Sequence, residues 1–349
     1  MHWTMPFHGP FTRACLLLLA CLWAPLAAVA AGPPPSLFLP VDCEPGHDCF
    51  VQNYFDHDTG PGWSDFACGH LSYDGHTGTD FAVADLPAMD AGTAVLASAD
   101  GIVAAVRDGM ADTGLAGMSD EDRRTRGGGN AVVLDHGGGW RTMYAHLRKG
   151  SVAVRTGQKV RAGDVLGMVG MSGRAEFPHV ELSVRADGRP LDPFTGDDAS
   201  NGPGTACGDT TGSLWSPEAL AVLDYRATGL LGAGFTSAVP DTEGLMQGRH
   251  RAERLSPTAP AIIFWTRLFG LRQGDELRMR ITGPDGRVLA ETAKPAPGNK
   301  AVYFMYAGKR RSSGLWPPGD YHGQCTLLRP QSSGPATEIL RASGRVTVR

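Results

Sequence analysis

The chain is long enough for one or two packed domains, because it has 349 residues of which 42% are hydrophobic and 19% charged. Its formal net charge of −4, without an extended run of Lys or Arg, gives no attraction to a phosphate backbone. Nucleic acid is therefore excluded as an expected partner. The 47 glycines and 25 prolines favour strands and turns over helices.

The N-terminus has the features of an export signal. Arg13 supplies positive charge, an apolar stretch follows over residues 14–28, and Ala28-Val29-Ala30 matches a small-residue cleavage site. A membrane anchor would need about 20 apolar residues, and Pro25 interrupts this short stretch. A lipoprotein signal ending at Cys21 is a weaker alternative. We predict cleavage after Ala30 and a mature protein without a membrane span, in the periplasm or outside the cell at its envelope.

Removal of residues 1–30 leaves five of the seven cysteines: Cys43, Cys49, Cys68, Cys207 and Cys325. An exported protein can form disulfides because its compartment is oxidising. Two bridges with Cys325 left over is the simplest pattern. Among several connectivities we predict Cys43 with Cys49 and Cys68 with Cys207.

Residues 37–196 contain short apolar runs separated by Gly, Asp and Asn, which is typical of an all-β domain. Between them, the polar insertion 108–129 is too long for an ordinary hairpin connection. We expect it to be a loop that borders a functional groove, or else a solvated flap without a role. Six runs rich in Val, Ile and aromatic residues are predicted strands: 93–97, 101–107, 130–135, 140–146, 165–169 and 179–185.

A linker and a second all-β domain are predicted to follow. Small and polar residues dominate 197–211, so we assign 197–224 to a linker. Six further strand-like runs occupy 225–349, and in one of them Leu277, Met279 and Ile281 alternate with charged residues. This pattern favours an immunoglobulin-like or fibronectin-like β-sandwich. Residues 225–349 contain no catalytic motif.

Three short segments carry the residues suited to chemistry. In Gly75-His76-Thr77-Gly78-Thr79-Asp80, an imidazole and a carboxylate four residues apart can face one cation. In the second segment, strand alternation predicts that Tyr144 and His146 share one face. In the third, His179 and Glu181 likewise share a face.

The order and spacing of these segments resemble the M23 (lysostaphin-like) zinc metallopeptidases, whose pattern runs H-x-x-x-D, then Y-x-H, then H-x-H. The resemblance covers residues 42–194 and includes stretches between the motifs, such as 129–136, and the closing Asp192-Pro193-Phe194. It implies that 31–196 is an antiparallel M23 sheet domain. The predicted organisation is therefore a signal peptide (1–30), a peptidase-like domain (31–196), a linker (197–224) and a β-sandwich domain (225–349).

The resemblance also implies roles for individual residues. His76 and Asp80 would be zinc ligands, while His146 and His179 would handle protons and steady the developing oxyanion. Glu181 occupies the position of the third family ligand, which is a histidine in the family pattern. A glutamate oxygen can bind zinc, so Glu181 is the expected third ligand. Otherwise it is an exposed carboxylate in a pocket that has lost its metal.

The function implied by the resemblance is that of an exported zinc endopeptidase that hydrolyses the peptide cross-links of peptidoglycan. The alternative is a catalytically degenerate domain that acts as a cell-wall-binding regulator or scaffold. Metal content separates the two hypotheses, because the enzyme requires tightly held zinc and the scaffold does not.

Overall fold

The computed structural model of the chain describes residues 32–198 and 207–349. The predicted signal peptide lies outside these residues. Within them, no helix is long and apolar enough to cross a membrane.

Strands are the main regular structure of the first part of the chain, residues 32–198, as the sequence predicts, and the six predicted runs all form strands. Two short helices, α1 (Leu86–Ala91) and α2 (Asp120–Thr125), and a 3₁₀ turn (Leu115–Gly117) interrupt them. The strands are β1 (Cys49–Asn53), β2 (Thr79–Val83), β3 (Ala94–Leu96), β4 (Gly101–Arg107), β5 (Asn130–Gly137), β6 (Trp140–Leu147), β7 (Lys159–Val160), β8 (Val165–Met168), β9 (His179–Ala186) and β10 (Arg189–Leu191).

One antiparallel sheet forms the centre of this part, in the order β1-β2-β9-β6-β5-β4-β7, with β10 paired to β9. Strands β3 and β8 form a separate pair. In β9, Val180, Leu182 and Val184 are fully buried in the core. Alternation therefore directs His179 and Glu181 to the opposite face. The all-β fold expected from the sequence is confirmed.

The insertion 108–129 is a structured segment that contains the 3₁₀ turn and α2. Ser119 caps the N-terminus of helix α2, where its hydroxyl accepts a hydrogen bond from the Asp122 amide. Three backbone hydrogen bonds fasten the insertion to residues 171–175; one of them runs from the Arg174 amide to the Gly127 carbonyl at 2.8 Å. The insertion therefore lies beside the segment that leads into His179.

The second part begins with α3 (Pro217–Val222) and α4 (Thr242–Met246). Trp215, within the predicted linker, packs edge-on against Phe81 and Phe194, and α3 adds Ala219 to the same core. The strands are β11 (Gly229–Thr236), β12 (Arg254–Leu255), β13 (Ala261–Leu271), β14 (Glu276–Thr282), β15 (Val288–Pro295), β16 (Lys300–Arg310), β17 (Gly319–Arg329) and β18 (Thr337–Val348).

These strands form two sheets, β11-β13-β16 and β12-β18-β17-β14-β15. The two sheets share a hydrophobic core, to which β13 contributes Phe264 and β14 contributes Leu277 and Met279. The immunoglobulin-like or fibronectin-like sandwich remains a prediction.

The two parts of the chain also pack against each other. The Phe50 and Phe269 rings lie 5.9 Å apart, and the Arg267 guanidinium donates to the Ala84 carbonyl at 2.8 Å. Phe269 thereby joins the core of the first part.

The predicted disulfides are confirmed: Cys43 is bonded to Cys49 and Cys68 to Cys207, and Cys325 is a buried free thiol. We expect the mature protein to show one reactive thiol when denatured without reductant and five after reduction. Thiol titration under the two conditions measures this. Three or more reactive thiols before reduction would contradict the pairing.

A buried His57–Asp192 pair connects the loop after β1 to the segment after β10, with His57 Nε2 and Asp192 Oδ2 2.7 Å apart. Burial acts to lower the pKa of His57, but the bonded Asp192 carboxylate raises it overall. The pair's contribution to stability is therefore complete below the unfolded pKa of about 6.5 and is lost as pH rises through the folded pKa.

Replacing Asp192 with Asn should therefore destabilise the protein more at pH 6 than at pH 9, because only the wild type then holds a charged His57 beside a carboxylate. Urea unfolding of both proteins at the two pH values measures the difference. A destabilisation that is the same at both pH values would show that His57 is not charged in the folded protein.

Candidate active site

The β2–β9 pairing brings the first and third motifs together. Asp80 lies directly opposite Glu181 in the register, so their side chains share one face. His76 precedes β2 in a turn, where its carbonyl accepts from the Asp56 amide at 2.8 Å and the Asp56 carboxylate accepts from the Gly75 amide at 2.9 Å. Asp56 thus fixes the backbone on which His76 sits.

His146 reaches the same face by a route that the sequence did not predict. Tyr144 is buried in the core, so simple alternation would bury His146 beside it. Instead His146 has φ +62°, a left-handed conformation that is uncommon for a residue with a side chain. Its amide donates to the Gly128 carbonyl at 2.9 Å, which holds this turn. The expectation that Tyr144 and His146 share a face is wrong.

The five predicted site residues converge in one pocket. Asp80 Oδ1 lies 3.4 Å from His76 Nε2 and 3.7 Å from His179 Nε2. Glu181 Oε2 lies 3.4 Å from His146 Nε2, and the His146 and His179 rings are 4.6 Å apart. His76, Asp80, His146 and His179 are buried and Glu181 is half-buried.

Backbone carbonyls fix the orientation of the two histidines. Nδ1 of His146 lies 2.7 Å from the Ser172 carbonyl, and Nδ1 of His179 lies 2.8 Å from the Phe177 carbonyl. Since a carbonyl only accepts, each Nδ1 carries a proton and each Nε2 faces the pocket. Both rings are therefore ready to exchange a proton at Nε2.

The surroundings move the pKa values of these two histidines apart. Burial acts to lower the pKa of His146, but the adjacent Glu181 carboxylate raises it overall. Burial and the charge of His146 lower the pKa of His179. Two neighbouring groups with diverging pKa values suit an acid and a base in one reaction.

His76 and Asp80 form the part of the pocket best suited to a cation. Burial acts to raise the pKa of Asp80, but the charges of His76 and His179 and a 2.8 Å hydrogen bond from Asn53 lower it overall. Among the described residues, His76 Nε2 and Asp80 Oδ1 are buried without a hydrogen-bond partner. Buried polar atoms normally have one, so this pair fits a metal ion.

Glu181 is directed away from that pair. Its Oε1 accepts from the Ser183 hydroxyl at 2.8 Å, while Oε2 faces His146. Over the described ranges, the donor atoms of His76, Asp80 and Glu181 do not all lie within 4.8 Å of one another. The Cys43, Asp48 and Cys49 donors do meet that distance, but both cysteines are bonded in a disulfide.

Several residues at the site were not predicted from the sequence. Asn53 reaches Asp80 because β1 pairs with β2, and β1 was not among the predicted strands. The Tyr73 ring lies over His76 with its centroid 4.3 Å away. Ser172 acts through a backbone carbonyl, for which a sequence motif gives no signal.

Comparisons with known proteins match the segment that contains these residues. The model of peptidase family M23 matches residues 74–193. The DD-carboxypeptidase/endopeptidase Mpg of Neisseria meningitidis is 37% identical over 120 residues, which are 34% of this chain and 22% of that protein. The peptidoglycan DD-endopeptidase ShyA of Vibrio cholerae is 35% identical over 116 residues, 33% of this chain and 21% of that protein.

A solved structure of a zinc-containing peptidase from Vibrio cholerae is 25% identical to this chain, with a TM-score of 0.31. The match covers 46% of this chain and 39% of the peptidase chain. The chain spans about a fifth of the length of the two sequence relatives. The matched segment contains His76, Asp80, His146, His179 and Glu181 in the predicted order. Residues 74–193 therefore form a domain of peptidase family M23.

Proposed function

We propose that the chain is an exported zinc-dependent endopeptidase that hydrolyses peptide cross-links in peptidoglycan. The observation that carries this proposal is the convergence of a buried, unpartnered His76–Asp80 pair with two oriented histidines, His146 and His179. The names of the Neisseria and Vibrio relatives, both endopeptidases, support the same activity.

His76 and Asp80 would hold the metal through Nε2 and Oδ1. Glu181 would complete the set once its carboxylate turns from Ser183 and His146 toward Asp80, its register partner. Two protein ligands are too few for a catalytic zinc site, which normally has three. When bound, zinc supplies a Lewis acid that polarises the scissile carbonyl and makes water a stronger acid.

The two histidines divide the proton transfers between them. His179, whose pKa is lowered, is neutral near pH 7 and can accept a proton from the attacking water at Nε2. His146, whose Nε2 faces the pocket, can hold a proton there and donate a hydrogen bond to the developing oxyanion. Their Nδ1 bonds to carbonyls keep both rings in place during the reaction.

The test combines metal content with digestion of cell-wall sacculi. Purified mature protein, with its N-terminus at Ala31 by mass spectrometry, should contain about one zinc per chain. It should release peptides from sacculi, and a chelator should abolish the release. Protein that holds zinc but releases nothing from sacculi or soluble cross-linked peptides would overturn the proposal.

The second candidate is a degenerate domain that binds the cell wall without cutting it. The direction of the Glu181 carboxylate favours this candidate. The negative charge of Glu181 lies beside His146 and not beside the His76–Asp80 pair, where a metal ion would need it. A protein of this kind would bind sacculi equally well with and without chelator. It would contain no stoichiometric zinc.

A further inference from the structure

A second cleft, of about 140 Å³, lies where the two parts of the chain meet. The first part contributes Trp63 and residues 70–72, and the second contributes residues 270–272 and 299–301. We call it the Trp63 cleft. It is separate from the pocket of His76 but close to it, because four residues of chain link Ser72 to His76 and can span at most about 14 Å.

The lining of the Trp63 cleft offers hydrogen-bond donors and no carboxylate. Arg272 and Lys300 both line it, and neither forms an ion pair within the described ranges, although Arg272 hydrogen-bonds the hydroxyl of Tyr225, which also lines the cleft. The Asn299 side-chain oxygen accepts from the Gln273 amide at 2.8 Å, so its NH₂ group remains as a donor. Two cations and an amide donor in a cleft without acid are complementary to an anion.

The turns that carry these donors are fixed in advance. Asp275 is fully buried and forms two hydrogen bonds with Arg329, at 2.7 and 2.8 Å. The same carboxylate accepts from the Arg272 amide at 2.9 Å, and the Asp275 carbonyl accepts from the Ala296 amide at 2.7 Å. A ligand would therefore meet donors that need little ordering, which favours binding.

The chain also connects the cleft to the active site. Leu71 lines the Trp63 cleft, and two residues later Tyr73 covers His76 with a ring that is half exposed. Trp63 is 47% exposed at the cleft and offers an apolar surface beside the cations. A peptide in extended form covers about 3.3 Å per residue, so roughly four residues would reach from one site to the other.

We propose that the Trp63 cleft is a subsite that binds a free carboxylate of the peptidoglycan stem peptide, several residues from the bond that is cut. The subsite rests on the proposed function for its substrate. It assigns a role to the second part of the chain, which supplies Arg272, Asn299 and Lys300.

Binding is measured by calorimetry with a soluble disaccharide tetrapeptide in the His146→Ala variant, in which the expected loss of hydrolysis keeps the probe intact during the measurement. The comparison probe is the same compound with its carboxylates converted to amides. The test variant adds Arg272→Gln and Lys300→Gln. The matched control adds Lys309→Gln and Arg310→Gln, which remove the same charge at the other end of β16.

We expect the test variant and the amidated probe each to weaken binding about tenfold, as the loss of charge-assisted hydrogen bonds at a partly exposed site would. The control variant should bind like its parent. In otherwise wild-type enzyme, the test substitutions should raise KM and leave kcat unchanged.

Equal binding of the two probes by the parent, or equal affinities of the test and control variants, overturns the subsite even if the enzyme digests sacculi. Selective binding of the carboxylate probe by a protein that never cleaves peptide supports the subsite and overturns the proposed activity. The comparison of the two probes on the parent does not depend on how any cleft variant folds.

Discussion

Replacing Glu181 with alanine should lower the zinc content of the purified protein from about one per chain to near zero. The reason is that His76 and Asp80 alone would remain as protein ligands, and a stable site needs a third. Glu181→His restores the ligand of the family pattern, so it should hold zinc at least as well as wild type and raise turnover. Metal analysis after dialysis, with sacculus digestion, measures both effects.

Glu181→Gln serves as the control, because it keeps the size of the side chain and can still accept a hydrogen bond from Ser183. It should lose most of the zinc, since the charged ligand is gone. Equal zinc in wild type and Glu181→Ala would show that Glu181 is not a ligand. If neither holds zinc and neither cuts peptide while Glu181→His gains both, the natural protein is a scaffold.

Removing the His146 imidazole should reduce peptide hydrolysis by about 10²–10⁴-fold, the usual effect of losing a positioned acid or base. Zinc content should stay the same, because His146 Nε2 faces Glu181 rather than the His76–Asp80 pair. His179→Ala should reduce peptide hydrolysis by a similar factor. Rates on a soluble cross-linked peptide, measured alongside metal content, test both variants.

His322→Ala is the matched control, since His322 is exposed on β17 in the second part of the chain. It should cut at the wild-type rate. A His146→Ala protein that retains full activity would contradict the role given to this residue. One that loses its zinc together with its activity would instead make His146 part of the metal site.

The strand pattern and the disulfides could be predicted from the sequence because both depend on local information. The runs of Val and Ile between glycines predicted six of the ten strands of the first part, since half-buried strands alternate with a period of two. The cysteine count and the export signal were enough to predict two bridges and a free Cys325.

The support of the site could not be predicted, because it depends on which strands are neighbours. Asn53 acts on Asp80 only through the pairing of β1 with β2. The Trp63 cleft combines residues more than 200 positions apart, such as Trp63 and Lys300. The sequence predicted that the 108–129 insertion borders a functional groove, but not that backbone bonds to residues 171–175 make it an ordered neighbour of His146.

By itself the sequence determined the family of residues 74–193 and the all-β fold, and it singled out the five polar residues that meet in the pocket, because motif order and side-chain period are properties of the chain. The tertiary structure decided how those residues meet. His146 faces the pocket only because its backbone takes a left-handed conformation that Gly128 holds. Glu181 contacts Ser183 because the two residues share one face of β9, but it meets His146 only because β6 pairs with β9, which spacing along the chain does not show.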